Sequence, residues 1–407
     1  MAGGEVTAGA RAEQAARASY GRLLAIVAAQ TGDIPRAEDA LADAFERALT
    51  TWPVTGVPAN AEGWLVTVAR NRHLDTVRSA AHRLTTPLDA DVAVLDSIDP
   101  DAIPDKRLEL MFVCAHPAIA PAIRTPLMLQ TVLGFDAAFV ARAFALPEPA
   151  MAQRLVRAKR RIRAAKVPFV VPSRRDMPAR LPFVLEAVYG AYAIDWQLVS
   201  GVTLRESLAA EALYLASTLA LLLDSEPEAF GLAALIAFSL ARADARVDDD
   251  GCLVPLAEQN RALWNPELVR EGESLLRRAH ALGRVGRFQL EAAIQSAHCA
   301  TAQPDPRALL ALHDALVTVA PTLGARVARA AVRAQVDGPR AALDELEGID
   351  GAERFQPAWA TRAHLLAACG QTEAAASAYA KAISLTTDAP SRVYLTRRAA
   401  GLTPSGR

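Results

Sequence analysis

The sequence predicts an all-α protein of more than one domain, on three observations. The chain has 407 residues, more than one typical core holds. Alanine and leucine dominate while aromatic residues make up only 5%, and those two residues cost least in a helix. Apolar residues recur at helical period in almost every long segment, with Pro, Gly and Asp clusters between them, and β-branched runs that would read as strands are rare. An apolar content of 52% is ample for buried cores.

Residues 13–83 read as a bundle of three helices. The first runs from about Glu13 to Gln30, with Tyr20, Leu23, Leu24 and Val27 on one side. Gly32-Asp33-Ile34-Pro35 ends it and starts the next, Asp33 serving as N-cap and Pro35 lying in the first turn. The second helix, about 35–50, places Leu41, Ala44, Phe45, Ala48 and Leu49 on one stripe. Trp52 to Pro58 is expected as a loop, and Asn60 as the cap of a third helix over 61–82. Residues 84–104 carry five aspartates and no lysine or arginine, the composition of a linker. Residues 105–167 are helical again, with Pro117, Pro121 and Pro126 at breaks or first turns. Pro168 and Pro172 mark a second linker.

From 178 to 402 every long segment has helical period. Loops are expected at Asp224–Pro227, Asp248–Gly251, Gln303–Pro306 and Asp337–Pro339. Trp359, Gly370, Ala375, Tyr379 and Ala382 fit the packing positions of a tetratricopeptide unit, although its usual proline is absent at Thr387 and comes only at Pro390. The preceding unit is out of register, so the region reads as tetratricopeptide-like rather than as a regular array.

The net charge of −1 conceals an asymmetry. Residues 1–175 hold 22 Lys+Arg against 18 Asp+Glu, and the remainder 22 against 27. Any polyanionic partner therefore meets the front of the chain. The four cysteines are scattered and form no CxxC pair, which suits a reduced cytoplasm. Cys114-Ala115-His116 has no second pair of ligands near it, so a buried thiol is the preferred reading over a metal site. The first residues lack the pattern of a signal peptide, and no uncharged apolar run is long enough for a membrane span. No nucleophile elbow, phosphate-binding loop or His/Cys cluster is found, so neither an enzyme nor a cofactor is expected.

Three features point to binding. The strongest is Phe135–Lys166, where two helices flank a tight turn at Leu146-Pro147 with helix-turn-helix spacing. Its second helix has seven cations and no acid in the thirteen residues 154–166. Such a face suits the dense phosphate charge of a duplex. Pro149, Ala150, Gln153 and Arg154 near the helix start would face base edges, while Arg157, Lys159 and Arg160 would grip phosphate. In the third helix Trp64, Thr67, Asn71, Asp75, Arg78 and His82 share one face. That face can stack on and hydrogen-bond unpaired bases, although spacing alone equally fits a solvent face with one anchoring tryptophan. In the second helix Asp39, Asp43 and Glu46, beside Glu38, form an acidic stripe that either solvates the helix or docks on a basic partner.

The order of these parts resembles a known family. SYGRLLAIVAAQTGDIPRAEDALADAFERAL and GWLVTVARNRHLDTVR resemble the sigma-2 domain of bacterial sigma-70 factors of the extracytoplasmic-function group. LPEPAMAQRLVRAKRRIR resembles that group's sigma-4 helix-turn-helix. IPDKRLELMFVCAHPAIAP and the helical tail around LWNPELVREGESLLRRAHALGRVGRFQLEAAI resemble its subgroup with a long tetratricopeptide-like extension. The resemblance implies sigma-2 over 13–83, an acidic linker over 84–104, sigma-4 over 105–167 and a regulatory domain over 178–402. It implies that Glu38, Asp39, Asp43 and Phe45 bind the clamp of the largest subunit of core RNA polymerase. Trp64, Thr67, Asn71, Asp75 and Arg78 would melt and read the −10 element of promoter DNA, and the helix from Glu148 would read the −35 element. Ala42-Asp43 stands where many members have Gln, and Asp136-Ala137-Ala138-Phe139 departs from the usual Thr/Ser-x-x-Glu-Ile start of the scaffold helix.

The competing expectation is a conventional helix-turn-helix transcriptional regulator whose helical tail senses a ligand or protein. Such a regulator needs neither an acidic docking helix nor a tryptophan-bearing helix for melting DNA. In either case the acidic tail is expected to take a protein or peptide partner on a concave surface rather than DNA.

Overall fold

The computed structural model describes residues 8–83, 103–144, 146–164, 170–197, 202–300 and 304–402. These form eighteen α-helices and no β-strand, beyond one isolated bridge between Val247 and Leu253. The chain divides into two compact units, 1–191 and 192–407.

The first unit begins with α1 (Ala8–Thr31), α2 (Ile34–Thr55) and α3 (Ala61–Arg83), which pack on one another. Asp33 caps α2 as expected, its side chain accepting from Arg36 N at 3.3 Å. Asn60 caps α3 through Gly63 N at 2.8 Å. The loop expected from Trp52 is instead the last turn of α2, which runs on through Pro53. Two features hold it there. Trp52 is 1% exposed, so its burial favours continuing the helix. Gly56, at φ 83°, then donates its N–H to Trp52 O at 3.0 Å and ends the helix.

Next come α4 (Lys106–Cys114), α5 (Pro121–Thr131), α6 (Ala137–Ala143) and α7 (Glu148–Ala164). Every residue of α4 from Arg107 to Cys114 is buried, α1 packing on one side and α5 on another. Pro121 opens α5, while Pro126 lies inside it and is buried. Helix α7 buries Met151, Leu155, Ala158 and Ile162, a single stripe at intervals of three or four residues. Helix α8 (Met177–Gln197) packs by its first half on this unit. Arg180 donates to Phe112 O at 3.0 Å, Thr125 to Phe183 O at 3.3 Å, and the Arg124 guanidinium lies 4.5 Å from the Phe183 ring centre.

In the second unit α10 (Pro227–Leu240) is almost wholly buried between α9 (Val202–Leu222), α11 (Pro266–Ala281) and α12 (Arg287–Cys299). Pairs of helices follow: α13 (Pro306–Val319) with α14 (Leu323–Asp337), then α15 (Pro339–Glu347) with α16 (Gln356–Ala368), α17 (Thr372–Leu385) and α18 (Ala389–Ala400). Gly338 alone joins α14 to α15, at φ 88°, a backbone value a side chain would strain. Ala375, Tyr379 and Ala382, read as tetratricopeptide packing positions, are buried in the core of α14 to α18, with Trp359 partly buried against it.

Candidate nucleic-acid interface

Helix α7 divides its residues by side. Opposite its buried stripe, Gln153, Arg154, Arg157 and Arg160 are exposed, together with Pro149 at the helix start, and Ala150 is half-buried. Among the described residues none of Arg154, Arg157, Arg160 and Arg161 forms an ion pair, so four fixed cations face solvent. Asp136 caps α6 by accepting from Phe139 N at 2.7 Å, which sets the scaffold helix before the turn. The cap uses the very stretch that departs from the family's usual start. An apolar groove of about 420 Å³ between α5 and α7 is floored by Ile119, Ile123 and Ile162 and rimmed by Arg154, Arg157 and Arg161. Arg163 and the stretch from 165 to 169 lie outside the described side chains.

Lys159 has a different environment. Its ammonium donates to Glu38 Oε1 at 2.6 Å, and the two side chains are 23% and 19% exposed. A residue read as a phosphate contact and a residue read as a polymerase contact are thus bound to each other.

The acidic stripe of α2 lies beside this pair. Asp39 is exposed, and Asp43 is half-exposed and accepts from Arg72 Nε of α3 at 2.7 Å. Phe45 is half-buried, its ring 6.3 Å from that of Tyr20 and stacked on it. Burial first, then the charges of Glu38 and Asp39, push the Tyr20 phenol up to about 12, so it stays a neutral donor beside the stripe. Leu49 projects from the same helix at 53% exposure. The stripe therefore stands beside one exposed apolar side chain.

On α3, Trp64 is half-buried and meets the buried Trp52 edge-on at 5.5 Å. Thr67 and Asn71 are exposed, the Thr67 hydroxyl donating to Gly63 O at 2.7 Å. The helix continues to Arg83, and the side chains of Asp75, Arg78 and His82 lie outside the described residues, as do residues 84–102 of the acidic linker expected over 84–104. The base of α3 is fixed by Glu62, which accepts from Ser19 and pairs with Arg22 of α1.

Cys114 is fully buried, its thiol pushed up to about 12 by burial. Among the described residues no group of three or more His, Cys, Asp or Glu could hold a metal, and no helix is long and apolar enough to cross a membrane.

Comparison with known proteins matches two parts of the chain. Residues 16–83 match the model of sigma-70 region 2, and residues 180–280 match a family of unknown function, DUF6596. An uncharacterized protein of Rhizobium meliloti is 33% identical over 374 residues, 88% of each chain. The probable ECF RNA polymerase sigma factor SigI of Mycobacterium tuberculosis is 28% identical over 160 residues, which is 37% of this chain and 54%, about half, of that relative. No solved structure matches. The chain therefore belongs to one family with the Rhizobium protein, and its residues 16–83 carry a sigma-70 region 2.

Proposed function

We propose that this protein is an RNA polymerase sigma factor of the extracytoplasmic-function group, in which α1 to α3 bind core polymerase and the −10 element and α6 to α7 bind the −35 element. The observation that carries the proposal is the pairing of a region 2 at residues 16–83 with a later helix-turn-helix whose second helix turns unpaired arginines outward. A conventional regulator needs only the second of these. In this reading the carboxylates of Glu38, Asp39 and Asp43, with Phe45, meet the clamp of the largest subunit. Trp64, Thr67, Asn71, Asp75 and Arg78 act on the melted −10 strand, where aromatic stacking and amide hydrogen bonds select unpaired bases. Pro149, Ala150, Gln153 and Arg154 meet base edges, and Arg157, Lys159 and Arg160 meet phosphates.

The helical region after α8 is assigned to regulation, with a tetratricopeptide-like groove for a protein or peptide segment. Trp359 and Arg362 border a small pocket of about 100 Å³ with Glu347 and Glu353, room for one side chain of such a segment. Run-off transcription with purified core polymerase tests the assignment. Promoter-specific transcripts that appear only when this protein is added support it. Sequence-specific duplex binding without any transcript or association with core would assign the chain to the regulators instead.

A further inference from the structure

The functional reading above leaves the aliphatic floor of the α5–α7 groove without a use. The groove holds about 420 Å³, within the usual size of a small-molecule site, roughly 300–1,000 Å³. Seven of its ten lining residues are alanine or isoleucine, and the other three are Arg154, Arg157 and Arg161. No acid, hydroxyl or aromatic ring is among them. Ile119, Ile123, Ala158 and Ile162 give it a buried side, while Ala118, Ala120 and Ala122 line it from exposed positions. The three arginines are exposed and recur at i, i+3 and i+7 along α7, so they share one face beside the buried stripe. Among the described residues none of them pairs with a carboxylate, and Arg157 donates within its own helix, to Gln153 O at 3.3 Å. Ala120 offers α5 no side-chain cap, so the positive end of that helix adds to the same opening.

We propose that this groove binds an aliphatic chain ending in a carboxylate, a fatty-acid-like anion, and that its occupancy excludes promoter DNA. The site follows from the cavity itself. The exclusion rests on the functional reading above, which gives Arg154 and Arg157 to the −35 element. A duplex uses only half of the arrangement, since phosphates meet arginines but gain nothing from a floor of alanine and isoleucine. That floor has no ring to stack on and no side chain to hydrogen-bond, so the body it matches is aliphatic. A carboxylate head takes paired N–H groups from a guanidinium, whereas an ammonium head would face three like charges. Ligand and duplex then compete for the same two arginines, and each lowers the affinity for the other by the same factor.

The test titrates the full chain with dodecanoate, kept below the concentration at which it forms micelles, and with dodecanol and dodecyltrimethylammonium as neutral and cationic probes of equal length. Dodecanoate should bind saturably, one per chain, and raise the melting temperature. Dodecanol should bind at least tenfold more weakly, and the ammonium should not bind. Decanoate should bind less tightly than dodecanoate, by up to about fourfold for each methylene lost, the fold-change matching about 0.8 kcal/mol per buried CH₂. Ala122→Phe places a ring in the groove from an exposed position and leaves the arginines of α7 in place. It should weaken dodecanoate at least tenfold while the −35 duplex keeps its wild-type affinity. Arg161→Gln should weaken dodecanoate several-fold and leave dodecanol unchanged. Dodecanoate should displace a fluorescent −35 duplex from wild type but not from Ala122→Phe, with circular-dichroism melts confirming that both variants fold. Dodecanoate that binds no tighter than dodecanol, or that Ala122→Phe leaves at wild-type affinity, overturns the site even if the duplex is bound specifically. Loss of core polymerase binding in Ala122→Phe, with no dodecanoate bound by wild type, would give the groove to a protein and overturn it equally. Specific duplex binding that bound dodecanoate does not disturb overturns the exclusion. Dodecanoate held in the groove by a chain that prefers no promoter duplex to a scrambled one keeps the site and sinks the functional reading instead.

Discussion

Asp43 of α2 holds Arg72 of α3 through a 2.7 Å contact between Oδ2 and Nε, with 45% and 61% of the two side chains exposed. The acidic stripe is thereby joined to the helix assigned to the −10 element. An exposed pair of this kind contributes about 0.2–1 kcal/mol to stability. Reversing Asp39 and Asp43 to Lys should therefore abolish association with core polymerase while lowering the melting temperature by only a few degrees. Pull-down of core at wild-type level by the double variant would remove the docking assignment. Loss of the circular-dichroism signal would instead give Asp43 a structural role larger than an exposed pair allows.

Arg154→Ala and Arg157→Ala separate base reading from phosphate contact on α7. Both side chains are exposed, and the Arg157 Nε donates to Gln153 O at 3.3 Å. Losing Arg154 should relax discrimination among −35 sequences by about 1–3 kcal/mol, whereas losing Arg157 should weaken all duplexes alike and lower the salt slope by about one. Equal losses on every sequence for both variants would contradict the division of roles.

Much of the first unit was legible because its signals are local. Asp33 and Asn60 are caps that act within three residues, and the Met151–Ile162 stripe is a helical period, whereas the Asp136 cap went unread because its stretch departs from the expected helix start. Trp52 was misread for the opposite reason. Pro53 is a strong local stop signal, but burial of the Trp52 ring against α3 outweighs it. The pairing of Lys159 with Glu38 spans 121 positions, and the run of cations over 154–166 carried no sign that one of them faces a carboxylate. Arg397 likewise reaches back from α18 to Asp250 at 3.1 Å, across 147 positions, closing the end of the second unit on the loop after α10. No periodicity encodes such contacts, because they depend on how the helices stack.

Glu228 of α10 shows the same kind of long reach. Its carboxylate accepts from Phe288 N at 2.9 Å and from Gln289 N at 3.0 Å, capping α12 from another helix where Gly286 offers no side-chain cap. Glu228→Ala should cost about 0.5–2 kcal/mol, the range for a lost N-cap. Burial raises the Glu228 pKa, against the lowering effect of those N–H groups. An acid whose folded pKa is raised favours folding most when protonated. Its contribution is present below the ordinary carboxylate value and lost as pH rises through the folded one. Denaturant titrations should show wild type losing stability relative to Glu228→Gln as pH rises from 4 to 7, because glutamine stays neutral throughout. A wild type that gains on the variant over that range would reverse the assigned sign.

Three histidines of the second unit have the opposite shift and should give an acid-sensitive fold. Burial is the first cause for each, and it lowers His298 to about 4, aided by Arg242, His313 and Arg261. His313 and His364 are also lowered. His364 hydrogen-bonds the Tyr379 and Tyr394 hydroxyls through its two ring nitrogens, each at 2.9 Å. In the window between about 4 and the ordinary 6.5 the unfolded chain binds more protons at His298, so stability should climb with pH there. Melting curves collected over that range should steepen in wild type and flatten in His298→Gln. An unchanged slope in the variant would show that His298 is not among the groups responsible.

The last prediction concerns where the second unit can be removed. A cut near Pro172 follows the proline-bearing stretch, but it would strip α8 from the first unit. Met177, Val184, Ala187 and Val188 are fully buried there, and Arg180, Phe183 and Arg124 bond or stack across the contact. Burying side chains of this size is worth about 1.5–3 kcal/mol each for the larger ones, so a chain ending at Pro172 should be markedly less stable than one ending at Gln197, which retains the whole of α8. The two truncations therefore ask different questions. The longer one should fold, bind core and bind the −35 duplex, so any change in its transcription reports the regulatory region alone. The shorter one should lose activity through unfolding of the first unit, visible as a melting temperature lower by several degrees or as aggregation. Equal stability of the two would show that α8 contributes nothing to the helix-turn-helix beneath it.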